Sequence, residues 1–215
     1  APECDGGDEF IKEIQPICPV SIAHTDAGYD EAVHAIELGV RHITHLFNAQ
    51  SGLHHRKPGV VGAAFDVGKE KGVRAELICD GFHIHPATLR IAFRAMGEDG
   101  TVIVSDSMKA AGCPDGDYDL GGQPVYVRDG KALLADGTIA ASTSNVYKEL
   151  KNVISFGIPE KQAVKSATIN PAKAIRADRE TGSIEEGKLA DILVVDKDYN
   201  IKLVIVKGKI KVNNL

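Results

Sequence analysis

The chain has 215 residues, 30 acidic against 25 basic side chains, a formal net charge of −5, and 43% hydrophobic and 26% charged residues. That balance excludes a general nucleic-acid or anionic-membrane binder, so any anion recognition has to be built locally, and no apolar run approaches the ~18 residues of a membrane span. The four cysteines, Cys4, Cys18, Cys79 and Cys113, form no CxxC pair; a chain of this length folds without disulfide staples, so they read as reduced thiols of a cytoplasmic protein.

The opening "APECDGGDEF" has no Met and no signal-like pattern; it reads as the middle of a longer chain. "GDEFIKEIQPI" is a short amphipathic helix with Phe10, Ile11 and Ile14 on one face. "CPVSIAHT" is a compact apolar run, hence a buried strand. "DAGYDEAVHAIELGV" carries Ala32, Val33, Ile36 and Leu38 at near-helical spacing and ends on Gly39; His34 in it is a surface or structural residue. "RHITHLFNA" is a second strand and "GVRAELICDGFHI" a third. "HPATLRIAFRAMGEDG" is a helix with Pro86 in its first turn, and "TVIVSDS" a fourth strand. Apolar strands alternating with helices imply an α/β architecture of parallel strands buried on both faces. The stretch "QSGLHHRKPGVVGAAFD" after the second strand is long for a connection and is a candidate functional loop.

Past Asp106 the pattern changes. "QPVYVRDGKALLADGTIAAS" holds two β-like runs around the turn "RDGK", a hairpin over residues 122–141. "SNVYKELKNVISFG" and "PEKQAVKSATINPAKAIR" are helical. The tail is rich in Ile and Val and reads as antiparallel strands, with a domain change near residue 180. The expected division is 1–180 and 181–215.

Four strands end in groups able to do chemistry: His24, His45, His83 and Asp106. In α/β barrels active sites form at the C-terminal ends of the strands. Histidines on adjacent strands, ~4.8 Å apart, can share a metal, and imidazole with carboxylate suits zinc or iron. His42 and His45 lie three apart on one strand, which predicts opposite faces, His45 inward and His42 toward the helices. His54, His55, Arg56 and Lys57 form a cationic loop, in which the planar fork of Arg56 suits phosphate oxygens.

Taken together, "HTDAGYDEA", "THLFNAQSGLHHRKPGVVGAA", "ICDGFHIHPATLRIAF", "VSDSMKAAG", "SATINPAKAI" and "TGSIEEGKLADILVVDKD" resemble the amidohydrolase superfamily. Within it they are most similar to the deacetylases of N-acetylglucosamine 6-phosphate. The resemblance implies the C-terminal half of a (β/α)8 metal-dependent hydrolase barrel plus part of a small β-sandwich domain. It implies His24 and His45 as metal ligands and Asp106 as the catalytic acid/base. His83, Asn48, Ala49, Arg56 and the segment Ile139, Ala140 and Ala141 become substrate contacts. The cofactor is a divalent metal, zinc or iron, as one or two ions. The partners are an amino-sugar phosphate, a second copy in a homodimer, and the protein's own N-terminal segment. The family's metal-binding Glu belongs to an "EGP"-like motif on an earlier strand that this chain lacks, so a third ligand is expected upstream of residue 1. The alternatives are an amidohydrolase acting on a related N-acyl amino sugar and an inactive fragment lacking that Glu.

Overall fold

The computed structural model describes residues 1–215. Its first part alternates helix and strand: α1 (Gly7–Ile14), β1 (Ser21–Ile22), α2 (Tyr29–Leu38), β2 (His42–Ile43), α3 (Gly59–Asp66), α4 (Gly68–Lys71), β3 (Arg74–Ile78), α5 (Pro86–Met96) and β4 (Thr101–Val104). The four strands form one parallel sheet in the order β1-β2-β3-β4. Next come β5 (Gly116–Leu120), β6 (Gln123–Arg128), β7 (Lys131–Leu133) and β8 (Ile139–Ala141), an antiparallel sheet in sequence order. Three helices follow, α6 (Val146–Ser155), α7 (Glu160–Ala167) and α8 (Ile169–Ala174). The chain closes with a three-stranded antiparallel sheet of β9 (Ile192–Val195), β10 (Ile201–Val206) and β11 (Lys209–Asn213). No helix is long and apolar enough to cross a membrane.

The main core lies between the parallel sheet and its helices. Ile22, Ile43, Ala75, Leu77 and Ile103 point from alternate strand positions into a buried cluster with Ile36, Val60, Leu89 and Phe93. Each Ile, Leu, Val or Phe among them contributes ~1.5–3 kcal/mol when fully buried. The helices therefore cover one face. The strand positions between these, Ser21, His42, Thr44, Arg74 and Glu76, belong to the other face and are half-buried. Beneath β4, the buried Asn170 side chain donates to Glu98 O (2.8 Å) and Thr101 O (2.9 Å), tying α8 to the start of that strand.

The structure differs from the sequence reading in four places. The strands are shorter than their apolar runs, because the backbone turns left-handed soon after each one. His42 does not face the helices: its Nε2 lies 2.8 Å from Glu76 Oε1 on the opposite face. Half of the expected functional loop, Gly59–Asp66, is α3, a helix that packs against α2 and α5. The expected hairpin at 122–141 is part of a four-stranded sheet that begins at Gly116, since "GDYDL" pairs with β6 despite its three polar or glycine positions.

Candidate functional site

His24, His45 and Asp106 each stand two residues beyond the last residue of their strand, and all three adopt positive φ, at 42°, 29° and 47°. Such values are uncommon outside glycine and cluster where function constrains the backbone. They break the strand alternation and turn the side chains along the sheet's C-terminal edge. Because Ile22 pairs with Ile43, the two histidines are level. Their Nε2 atoms stand 2.9 Å apart and their ring centroids 4.7 Å apart. His45 is buried and its Nδ1 has no hydrogen-bond partner, whereas His24 is open to solvent. Two opposed imidazole nitrogens can share a proton or a cation. Two ligands ~2.1 Å from one tetrahedral ion would stand ~3.4 Å apart, so the pair fits a divalent metal with a small outward shift. No three His, Cys, Asp or Glu side chains of the chain are placed to hold a metal ion together.

Glu76 sits behind this pair. One of its oxygens meets His42 Nε2, and the other accepts the His45 backbone N–H at 3.2 Å. Burial pushes its pKa up, but the contacts with His42 and His45 outweigh burial and hold it below the usual value. Glu3 anchors the turn after His24 by accepting the Asp26 N–H at 2.8 Å and bonding the Thr25 hydroxyl. The sequence reading assigned neither Glu a role; a Glu on a strand between apolar residues carries no signal of its partners.

The segment after β2 folds back over the pair. Asn48 donates to His45 O at 3.1 Å, and Ala49, at φ 48°, accepts the Thr25 N–H at 3.0 Å. Asn48 and Ala49 thus sit between the ends of β1 and β2. Arg56 is placed differently. It lies at an exposed tip with its Nη1 2.6 Å from His55 Nε2 and its backbone N–H directed to His54 Nδ1 at 3.3 Å. The loop is closed by Gly59, at φ 62°, where a Cβ would lie 2.6 Å from Ser51 O.

Beyond β3, Asp80 builds a tight turn. Its Oδ1 accepts the N–H groups of Phe82 and His83, both at 2.8 Å, and its Oδ2 pairs with His83 Nδ1 at 2.7 Å. Burial raises the Asp80 pKa, and these hydrogen bonds outweigh it, leaving the carboxyl below its usual value. His83 is therefore held by its Nδ1 with the Nε2 side free of that contact. Gly81, at φ 78°, admits Phe156, whose ring would stand 2.9 Å from a Cβ. The Asp-Gly dipeptide was the available signal for this turn.

Asp106 is exposed. Counted from strand ends it matches the histidines, but extending the β3–β4 pairing sets it level with Asp80. Its carbonyl accepts the Ser142 N–H at 3.0 Å, and Met108 N–H donates to Ser142 O at 2.9 Å. That contact brings Ile139, Ala140 and Ala141, as β8, beside the Asp106 turn. Lys131 on β7 lies over the Phe82 ring, 4.6 Å from its centroid, joining the same sheet to the His83 turn.

Under these turns lies Glu149, fully buried on α6. Its Oε2 accepts the Cys79 N–H at 2.8 Å, while Oε1 has no partner. Burial first, and the nearby Asp80 and Asp106 charges after it, push its pKa up to about 8. A carboxyl that binds its proton more tightly in the native state favours folding below its unfolded pKa, near 4.5, and that contribution is lost as pH rises through about 8. Glu149→Gln keeps the shape and removes the ionisation. The expected result is a variant that unfolds like the parent near pH 5 but is more stable near pH 9, by up to ~4 kcal/mol, read as a Tm gap that opens with pH. A gap independent of pH would contradict it.

The amidohydrolase family profile matches residues 16–211. The chain is 38% identical to the N-acetylglucosamine-6-phosphate deacetylase of Bacillus subtilis (strain 168) over 98% of its own length and 53% of that protein. It is 32% identical to the N-acetylgalactosamine-6-phosphate deacetylase of Escherichia coli O157:H7, again over 98% of this chain and 55% of the relative. The crystal structure of N-acetylglucosamine-6-phosphate deacetylase from Pasteurella multocida superposes with a TM-score of 0.91 at 33% identity, covering 99% of this chain and 55% of that one. The chain thus spans about half the length of these relatives. By sequence and by fold it belongs to the amidohydrolase family.

Proposed function

We propose that the protein containing this chain removes the acetyl group of N-acetylglucosamine 6-phosphate, giving acetate and glucosamine 6-phosphate. The observation that carries this reading is the opposed His24 and His45 nitrogens on the same sheet edge as Asp106, in a chain whose relatives bear that name. In this reading β1–β4 are the last four strands of a (β/α)8 barrel. Ser21, His42, Thr44 and Glu76 face its interior, and β9–β11 are part of a small β-sandwich.

His24 and His45 would hold a divalent ion, zinc or iron, with a third ligand from the protein's own N-terminal segment. Such an ion, when bound, supplies a water of lowered pKa and a Lewis acid for the amide carbonyl. Asp106 accepts the proton of the attacking water on a carboxylate oxygen and then delivers it to the departing amine nitrogen. His83, steadied through Nδ1 by Asp80, orients the sugar, and Ile139, Ala140 and Ala141 line the adjoining wall. Asn48, the Ala49 N–H and Arg56 bind the phosphate. That group is remote from the bond that breaks, so its binding energy is used for orientation. The exposed tip carrying Arg56 suits a reach into the site of a second copy, as in a homodimer.

The test is acetate release by the full-length protein from N-acetylglucosamine 6-phosphate and from the unphosphorylated sugar. The phosphorylated substrate is expected to be strongly preferred. Arg56→Gln removes a charged hydrogen bond and is expected to raise KM ~10–100-fold at nearly unchanged kcat; an unchanged KM would remove Arg56 from the site. The second reading, favoured by the Escherichia coli relative, is the galacto epimer of the same substrate, and the same assay on that epimer separates the two.

A further inference from the structure

Cys79 is the first residue beyond β3, where pairing with β4 has stopped at Ile78. Its peptide groups are bound instead by side chains of α6. The Cys79 N–H donates to Glu149 Oε2 at 2.8 Å, and Asn152 Nδ2 donates to Cys79 O at 3.2 Å. Phe156, the residue after α6, packs its ring against Gly81, where a Cβ would lie 2.9 Å from it. Residues 149, 152 and 156 share one face of a helix. That face therefore grips Cys79 and Gly81, on either side of Asp80, whose carboxylate holds Phe82 and His83.

Glu149 also reaches toward the other turn. Its Oε1 and the Ser144 Oγ are both buried without a hydrogen-bond partner, and the Ser144 hydroxyl is close enough to act on the ionisation of the carboxyl. The Ser144 N–H donates to Ser142 Oγ at 2.8 Å, and the Ser142 N–H donates to Asp106 O at 3.0 Å. One carboxyl thus stands between the turn that carries His83 and the turn that carries Asp106. Cys79 and Val153 belong to the core between the sheet and its helices, and Glu149 is buried with them by this chain's own atoms. These contacts need no other segment. Burying a carboxyl is unfavourable where an apolar side chain of similar size would pack, which marks Glu149 by its contacts and not by its bulk.

We propose that Glu149 is a positioning residue that sets the His83 turn against the Asp106 turn. Buried beneath both turns, it acts through them and not on the substrate. The sugar held by His83 has to meet the proton carried by Asp106, and a misplacement of ~1 Å at such a pair costs up to ~100-fold in rate. The inference rests on the roles proposed above for His83 and Asp106.

The test is steady-state kinetics of the full-length protein carrying Glu149→Leu, which keeps the bulk and loses both polar contacts. The expected result is a kcat lower by ~10–100-fold, with KM and metal content near the parent's. Glu149→Gln retains an acceptor for the Cys79 N–H and a donor toward Ser144, and is expected to restore kcat. Val153→Ala, one turn along the same helix, is the control for packing; it should lower Tm and leave kcat unchanged. In NMR spectra of isotope-labelled histidine, with His83 assigned through His83→Gln, the His83 ring signals should move in Glu149→Leu and stay in place in Val153→Ala. If Glu149→Leu does not fold, Asn152→Ala replaces it, removing the donor to Cys79 O, with the same expectations. Unmoved His83 signals or a parent-like kcat in the folded variant overturns the inference. A parent that releases no acetate overturns the proposed reaction instead, and the His83 signals then decide the inference by themselves.

Discussion

Asp106→Asn in the full-length protein is expected to lower kcat by roughly 10²–10⁴-fold, the range supplied by a positioned general acid/base. KM, metal content and Tm should stay near those of the parent. The substitution is conservative for the backbone. Asp106 sits at φ 47°, a region in which Asn is as well tolerated as Asp. The contact that fixes its turn is made by its carbonyl, which accepts the Ser142 N–H at 3.0 Å, and Asn keeps that carbonyl. The change therefore removes a proton acceptor and little else. Full activity in the variant would show that the proton passes through another group, and Asp80, level with Asp106 on the next strand, would be the first to examine.

The second large effect concerns metal. His24→Gln or His45→Gln removes one of the two facing nitrogens and is expected to weaken metal affinity by at least ~100-fold, beyond the 10–100-fold typical of removing a group that only orients a ligand. Metal analysis of the purified variants and zinc titration after chelation read this directly. On the proposal that an N-terminal segment supplies a third ligand, the 215-residue chain alone, with its two imidazole donors, is expected to bind zinc at least ~100-fold more weakly than the full-length protein. The two variants should differ in stability. His45 is buried, so His45→Gln perturbs packing as well, while exposed His24 reports ligation alone. Equal metal content in the parent and the His24 variant would exclude His24 as a ligand.

Much of the α/β part was legible in the sequence because its signals are local. Ala32 and Ile36 repeat at helical spacing, Pro86 opens α5, and the apolar runs around Ile22, Ile43, Leu77 and Ile103 mark buried strands. Strand lengths were not legible. Nothing in "IAHT" or "ITHL" announces that the backbone turns to positive φ at His24 and His45, since that conformation is selected by what the side chains meet across the sheet. The face of His42 was misread for the same reason: counting alternation from His45 fails once the strand has ended at Ile43. "GDYDL" was missed as a strand because its pairing with β6 is non-local.

The candidate site divides in the same way. His24, His45 and Asp106 stand out by residue type two residues past their strands, so position along the chain is enough to nominate them; His83, read as ending the third strand, lies five residues past β3 in the turn built by Asp80. Their supports do not. Glu76 and Glu149 act through partners up to 70 residues away, as in the Cys79 N–H bond to Glu149, and a carboxylate in sequence looks the same whether solvated or buried. Sequence by itself determined the order of elements, the α/β class and the residue types at the strand ends, because periodicity and turn chemistry are written in neighbouring residues. Only the tertiary structure decided which nitrogens face each other and which carboxyl is buried enough to hold its proton. Those depend on distance and desolvation, which the chain acquires only when distant segments pack.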